Sequence, residues 1–146
     1  MKNTNKYLTL ILSVLFCGLL LFSFCKKEEH PTIPNVYVDF YVDVSSTMYI
    51  ELNTVGGWVY LTGGFKGILV YRNSVEDFVA FERTCPYDPD DDDAIIEVES
   101  SGLTVIDSCC MSRYLIIDGS VVNGPSTIPL KQYRTTFDGN MLHVFN

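Results

Sequence analysis

Histidine and positive charge are both scarce in this chain of 146 residues. It holds 2 histidines, and its 10 lysines and arginines are outnumbered by 18 aspartates and glutamates, which gives a formal net charge of −8. Nucleic-acid binding requires clustered positive charge, so the composition argues against nucleic acid as a partner. The chain also offers no Ser-His-Asp set, no Cys-His pair close in sequence and no paired carboxylates on a clear scaffold. We therefore expect no enzymatic activity.

Helical periodicity is absent as well, because no stretch after Cys25 carries a helical apolar period over three turns. Apolar residues alternate instead, as in residues 36–43, where every second side chain would enter a core. Asp118-Gly119 and Asp138-Gly139-Asn140 are hairpin turn signals. The sequence predicts an all-β domain of short antiparallel strands, in a sandwich or in stacked small sheets. The predicted strands are 36–43, 48–52, 58–62, 68–72, 78–82, 95–99, 103–107, 113–117, 128–136 and 141–145.

The first residues form a targeting pattern. Lys2 and Lys6 precede an apolar run from Tyr7 to Phe24, which ends at Cys25. A positive start, an apolar middle and a terminal cysteine resemble a bacterial lipoprotein signal, in which the cysteine becomes the lipidated first residue of the mature chain. The alternative is an uncleaved single-pass anchor, because this run is long enough to cross a hydrocarbon layer.

These patterns predict three segments. Residues 1–24 would be the signal peptide, residues 25–35 the lipidated Cys25 and a linker, and residues 36–146 the β domain. The lipoprotein resemblance implies an exported protein, held by its lipid at the outer membrane or cell surface of a Gram-negative bacterium. The membrane is thus an expected partner, and the sequence identifies no protein partner.

Two short boxes lie in the second half of the chain. The first is Cys85-Pro86-Tyr87, and the second is Asp107-Ser108-Cys109-Cys110-Met111-Ser112-Arg113-Tyr114, which leads to Gly124-Pro125. This order resembles the cluster-binding half of the Rieske iron-sulfur fold, where a C-x-H box and a C-x-x-H-G-S-x-F box lead into a Gly-Pro loop. The resemblance covers residues 57–145 and implies a Rieske-like arrangement of small stacked sheets.

The ligands of a Rieske cluster are mostly replaced. In a Rieske site two Cys thiolates hold one iron and two His nitrogens hold the other. The resemblance places Cys85 and Asp107 at the thiolate positions and Tyr87 and Cys110 at the imidazole positions. It therefore implies a domain that has lost its cluster, binds no cofactor and has a binding or structural role in the envelope. The alternative is electron transfer through a 2Fe-2S or atypical iron-sulfur cluster.

The resemblance also suggests a role for the cysteines. In the high-potential branch of the Rieske family a disulfide ties the two cluster loops together, and Cys109 matches its cysteine in the second loop. The family's partner cysteine is missing, because Asp88-Pro89 stands there. We predict that Cys85 bonds to Cys109 or Cys110 instead, which would stabilise the domain by roughly 3 kcal/mol in the chain-entropy model. A vicinal Cys109–Cys110 bridge is a further, strained pairing.

Three other features have structural interpretations. Asp88 and Asp90–Asp93 are hard oxygen donors of the kind that calcium binds, but their spacing is not that of a calcium loop, so we predict a solvated loop. His143 is predicted to face outward from the last strand, and His30 lies in the linker. Strand aromatics are usually core residues and can alternatively form a stacking platform; these are Trp58, Tyr60, Tyr71, Phe78 and Phe81.

Overall fold

The computed structural model describes residues 32–146, so the predicted signal peptide, the lipidation site Cys25 and His30 lie outside the described residues. Within residues 32–146 no helix is long and apolar enough to cross a membrane. This part of the chain forms ten strands and one 3₁₀ helix, Thr47–Asn53. The strands are β1 (Asp39–Asp43), β2 (Trp58–Leu61), β3 (Ile68–Arg72), β4 (Phe78–Glu82), β5 (Ile96–Val98), β6 (Thr104–Asp107), β7 (Arg113–Leu115), β8 (Val121–Asn123), β9 (Gln132–Phe137) and β10 (Met141–Phe145).

The strands form two antiparallel sheets, which confirms the predicted all-β fold of short antiparallel strands. The order is β1-β10-β9-β4-β3-β2 in the six-stranded sheet and β5-β6-β7-β8 in the four-stranded sheet. Ala80 of β4 lies opposite Tyr133 of β9, which joins the two halves of the larger sheet. A β-bridge between Thr84 and Ile95 connects the end of β4 to the start of the smaller sheet.

Strands β3 and β4 lie between two hydrophobic cores. Val70 and Ala80 belong to a core inside the six-stranded sheet, whereas Leu69 and Phe81 belong to a second core against the four-stranded sheet. Successive side chains of a strand point to opposite faces, so a strand between two cores is apolar at nearly every position. Cys85 is a buried member of the second core, directly after β4.

Both predicted hairpin turns connect antiparallel neighbours. The segment from Ile116 to Ser120 joins β7 to β8, and Asp138-Gly139-Asn140 joins β9 to β10. Gly119 has φ +72°, and a Cβ atom there would lie 2.7 Å from Cε1 of Phe81. Glycine at this position therefore provides the left-handed backbone and lets the turn close against the second core.

The predicted strand at 48–52 is wrong, because this segment forms the 3₁₀ helix. The side chain of Ser46 accepts a hydrogen bond from the Met48 amide at 3.3 Å and caps the helix start. With about three residues per turn, Tyr49 and Leu52 share a face, and both pack in the first core. Met48 and Ile50, which an alternating strand would bury beside Leu52, are 74% and 58% exposed.

Strand β8 was not predicted, and the predicted strand at 128–136 begins only at Gln132. The residues before it form an irregular segment. Ser126 Oγ donates a 3.0 Å hydrogen bond to the Ile128 carbonyl, and the Leu130 amide donates to the Gly119 carbonyl at 3.0 Å. Pro129 has no amide hydrogen for a strand ladder, which favours this irregular path.

Candidate functional site

The second box forms a tight loop between β6 and β7. The Asp107 carbonyl accepts a 2.7 Å hydrogen bond from the Met111 amide, and the Asp107 amide donates to the Ser112 carbonyl at 3.0 Å. Oδ1 of Asp107 accepts a further bond from the Cys109 amide at 2.9 Å. Met111 has φ +63°, the only positive φ of a non-glycine residue within the described range. The loop thus keeps a left-handed backbone where the Rieske pattern has glycine.

The first box lies in the loop that follows β4. The Cys85 amide donates to the Ala94 carbonyl at 3.0 Å, which closes the loop at its base. Pro86 and Pro89 are buried, whereas Tyr87 is 48% exposed. The loop therefore directs Cys85 inward and leaves Tyr87 at the surface.

The two boxes meet at three side chains. Sγ of Cys85 lies 3.6 Å from Sγ of Cys110, and the Cys110 thiol donates to Oδ2 of Asp107 at 3.1 Å. One ligand atom from each of these residues lies within 4.8 Å of the others, and this is the only such group of three among the described residues. Cys85 and Asp107 are fully buried, and Cys110 is half-buried. We call Cys85, Asp107 and Cys110 the thiol-carboxylate site.

Polar groups of the β6–β7 loop, of β7 and of the segment after β8 surround this site. The Tyr114 hydroxyl lies 3.3 Å from Sγ of Cys85. Ser112 Oγ lies 3.1 Å from Sγ of Cys110 and accepts a 2.9 Å hydrogen bond from the Ser126 amide. No buried side-chain nitrogen or oxygen in residues 32–146 lacks a hydrogen-bond partner. The polar atoms of the site thus have hydrogen-bond partners within the second core.

The environment keeps two of the cysteines in the neutral thiol form. Burial raises the pKa of the Cys85 thiol to about 12, and Asp107 adds to this rise, whereas the hydrogen bond with Tyr114 opposes it. The hydrogen bond that Cys109 donates to Asp91 raises the pKa of the Cys109 thiol. Because the thiolate is the nucleophile and metal ligand, neither Cys85 nor Cys109 is activated for nucleophilic attack at neutral pH.

Of the four predicted cluster positions, the structure brings together Cys85, Asp107 and Cys110, whereas the side chain of Tyr87 is largely exposed. The cysteines in the described part of the chain are all free thiols. Cys109 is exposed, and its Sγ lies 3.3 Å from Oδ2 of Asp91. Of the two predicted disulfide partners of Cys85, Cys110 is therefore the one in sulfur contact with it. The disulfide itself stays a prediction.

Two features near the boxes were not predicted. Glu82, the last residue of β4, is a completely buried carboxylate. It accepts hydrogen bonds from the amides of Phe65, Lys66 and Thr84, from Thr84 Oγ1 and from the Tyr133 hydroxyl. Burial alone raises the pKa of the Glu82 carboxyl, but these hydrogen bonds outweigh it and lower the pKa. A charged residue directly after the apolar run 78–81, at the end of the same strand, was the available signal.

The second unpredicted feature is the contact between the acidic loop and its neighbours. The Lys66 ammonium donates to the Asp91 carbonyl, and the Cys109 thiol donates to the Asp91 side chain. Oδ1 of Asp91 also accepts a 3.0 Å bond from the Asp93 amide. These contacts place the acidic loop beside the second box. Contacts between residues this far apart in sequence produce no local sequence pattern, so they could not be predicted.

His143 faces outward on β10, as predicted. Its Nε2 lies 2.8 Å from Oδ1 of Asp39, and its ring stacks on Tyr41 and Phe145 at centroid distances of 4.2 and 4.5 Å. The hydrogen bond from His143 lowers the pKa of the Asp39 carboxyl. His143 is not part of the thiol-carboxylate site.

The strand aromatics divide between core and surface. Tyr71, Phe78 and Phe81 are buried core residues, as we expected of most strand aromatics. Trp58 and Tyr60 border an open groove of about 820 Å³ between the 3₁₀ helix and β2. The groove is lined by Met48, Tyr49, Glu51, Gly56, Gly57, Trp58, Val59, Tyr60, Leu61 and Thr62.

Comparison with protein families and with curated proteins gives no match, so a functional assignment depends on the residues of this chain. No family model matches this chain. No curated protein matches it either.

Proposed function

We propose that this chain is an exported, membrane-anchored lipoprotein whose Rieske-like β domain has lost its iron-sulfur cluster and serves a binding or structural role in the envelope. The observation that carries the proposal is the 3.6 Å contact between Sγ of Cys85 and Sγ of Cys110. In the Rieske pattern these two positions belong to different irons.

The contact argues against a two-iron cluster. Such a cluster has one ligand pair at each end, with both irons and the bridging sulfides between them. Ligands at opposite ends must therefore lie much farther apart than two sulfur atoms in contact. Here Sγ of Cys110 lies within hydrogen-bond distance of both Asp107 Oδ2 and Ser112 Oγ, so these polar contacts occupy the interior. Tyr87, at the remaining ligand position, is exposed.

The groove beside β2 supports a binding role. Met48 at its rim is 74% exposed, and Trp58 and Tyr60 contribute aromatic surface that is only partly covered. The Tyr60 hydroxyl accepts a 2.8 Å hydrogen bond from the Val98 amide, and the Arg83 guanidinium lies 3.7 Å from the centre of its ring. These contacts hold the aromatic wall in place, which reduces the ordering cost of binding.

Lipid labelling in cells tests the anchor. We expect the natural chain and a Cys17→Ser control to incorporate a labelled fatty acid and to fractionate with membranes. Cys25→Ser should lose the label. A natural chain without label, or equal labelling of the Cys25→Ser variant, would contradict the lipoprotein assignment.

Electron transfer through a 2Fe-2S or atypical iron-sulfur cluster is the competing proposal. The observation in its favour is that two thiols and a carboxylate from the two boxes share one site. It requires the loops to open far enough to admit a cluster. Iron and acid-labile sulfide in the protein purified without oxygen distinguish the two proposals, because the cluster-free domain contains neither.

A further inference from the structure

We infer that the thiol-carboxylate site binds a single thiophilic divalent metal ion, of which Zn²⁺ is the best match. This inference rests on the proposed loss of the cluster, because a cluster and a single ion would occupy the same two loops. The donor set is two sulfurs and one carboxylate oxygen from Cys85, Cys110 and Asp107. Thiolate sulfur with a carboxylate suits Zn²⁺, whereas Mg²⁺ and Ca²⁺ prefer sites made of oxygen alone.

The distances between the donor atoms fit one tetrahedral ion. With metal bond lengths typical of zinc, two sulfurs on one ion lie about 3.8 Å apart, and a sulfur and an oxygen about 3.6 Å apart. The corresponding distances here are 3.6 Å between Cys85 Sγ and Cys110 Sγ and 3.1 Å between Cys110 Sγ and Asp107 Oδ2. All three donor atoms lie within 4.8 Å of one another, so small side-chain movements would bring them to the distances of one ion.

Neighbouring groups already orient the donors. The Cys109 amide holds Oδ1 of Asp107 at 2.9 Å, and Oδ2 is the oxygen that contacts Cys110. The Tyr114 hydroxyl and Ser112 Oγ lie beside the two sulfurs and can donate to thiolates. Metal ligands are commonly positioned by such hydrogen bonds. Because Cys110 is half-buried, a water molecule completing the tetrahedron would reach the ion from its side.

Binding would link the two sheets. Cys85 follows β4 of the six-stranded sheet, whereas Asp107 ends β6 and Cys110 lies in the β6–β7 loop of the four-stranded sheet. In the binding step both S–H bonds break, two sulfur–metal bonds and one oxygen–metal bond form, and two protons pass to the solvent. No electrons are transferred. The ion would therefore bind more tightly as pH rises and would raise the melting temperature.

Cobalt titration tests this inference. The full chain in detergent would be reduced, stripped with chelator and titrated anaerobically with Co²⁺ alone, followed by Zn²⁺. We expect one Co²⁺ per chain with thiolate-to-metal charge-transfer absorption, its displacement by Zn²⁺, and release of two protons. Cys110→Ser should weaken binding by at least about tenfold, and Asp107→Asn should weaken it as well. Cys109→Ser is the matched control, because its thiol contacts Asp91, and it should bind normally.

The outcomes separate this inference from the proposed function. A folded, iron-free chain that binds no Co²⁺ would refute the metal site and leave the cluster-free domain intact. Equal losses in Cys109→Ser and Cys110→Ser would also refute the site. Iron with acid-labile sulfide in the chain as purified would overturn both proposals.

Discussion

Replacing Glu82 by glutamine should destabilise the domain strongly, although the change preserves size and shape. Oε1 of Glu82 accepts from the Lys66 amide at 2.9 Å, the Thr84 amide at 3.2 Å and Thr84 Oγ1 at 3.0 Å. Oε2 accepts from the Phe65 amide and from the Tyr133 hydroxyl, both at 2.7 Å. A glutamine NH₂ group cannot accept, so in either orientation at least one buried backbone amide would face another donor.

The expected magnitude follows from the number of donors that lose their acceptor. The hydroxyls of Thr84 and Tyr133 can rotate, but the amides cannot. Each buried donor left without a partner costs about 1–3 kcal/mol. With the NH₂ group at the Oε2 position only the Phe65 amide loses its acceptor, so we expect Glu82→Gln to lower the free energy of unfolding by about 1–3 kcal/mol. Glu97→Gln is the matched control, because Glu97 is exposed on β5, and its effect should stay within about 0.5 kcal/mol.

The loss of stability in Glu82→Gln should also depend on pH. The pKa of Glu82 is lowered in the folded state, so its ionised carboxylate adds stability above the unfolded value of about 4.3. This contribution disappears as pH falls through the lower folded pKa. The difference between the natural chain and Glu82→Gln should therefore be full at pH 7 and shrink below about pH 4.

Urea unfolding at several pH values measures both effects. A Glu82→Gln variant as stable as the Glu97→Gln control at pH 7 would show that the buried carboxylate does not stabilise the fold, and so would a loss of stability that does not change on acidification. Thiol reactivity gives a second readout. Thr84 joins Glu82 to Cys85 along the chain, so Glu82→Gln should also make the buried Cys85 thiol react faster with a thiol reagent in the folded protein.

Two other predictions concern the boxes. Met111→Gly should raise the free energy of unfolding by about 0.5–1 kcal/mol, because the left-handed backbone costs an L-residue more than glycine loses in chain entropy. Gly102 has φ +69° and open space around an added Cβ, so Gly102→Ala should lower the free energy of unfolding by a similar amount. Urea unfolding in which the two variants change stability in the same direction would contradict the strain argument. Mild oxidation of the metal-free chain should join Cys85 to Cys110 in the natural protein and in Cys109→Ser alike; peptide mapping that finds Cys85 bonded to Cys109, or three free thiols among these residues, would exclude this pairing.

Sequence patterns predicted the bounds of three strands best. The observed bounds of β3, β4 and β10 coincide with the predicted ones, because their apolar residues are buried whatever the loops do. The strand prediction for 48–52 was wrong because apolar residues with this spacing can lie near one another in two ways. A strand with a period of two brings them together, and so does a short 3₁₀ turn. Capping by Ser46 and the burial of Tyr49 with Leu52 decided between them. β8 was missed because two of its three residues are exposed and it has little apolar pattern.

The candidate site was only partly predictable. The boxes identified Cys85, Asp107 and Cys110, since the order of residues along two loops is visible in the sequence. Contact between Cys85 and Cys110 was not visible, because it depends on how the two sheets pack. The contacts of Glu82 were not visible either, because its partner Tyr133 lies on β9, which is far along the chain and pairs with β4.

Iron and sulfide analysis tests whether the domain has lost its cluster. The full chain would be purified without oxygen from cells with ample iron, and its iron, acid-labile sulfide and visible absorption would be measured together with its fold by circular dichroism. We expect a folded, β-rich protein with neither iron nor sulfide and no absorption between roughly 400 and 600 nm, where sulfur-ligated ferric iron absorbs. Stoichiometric iron and sulfide with these bands would contradict this expectation.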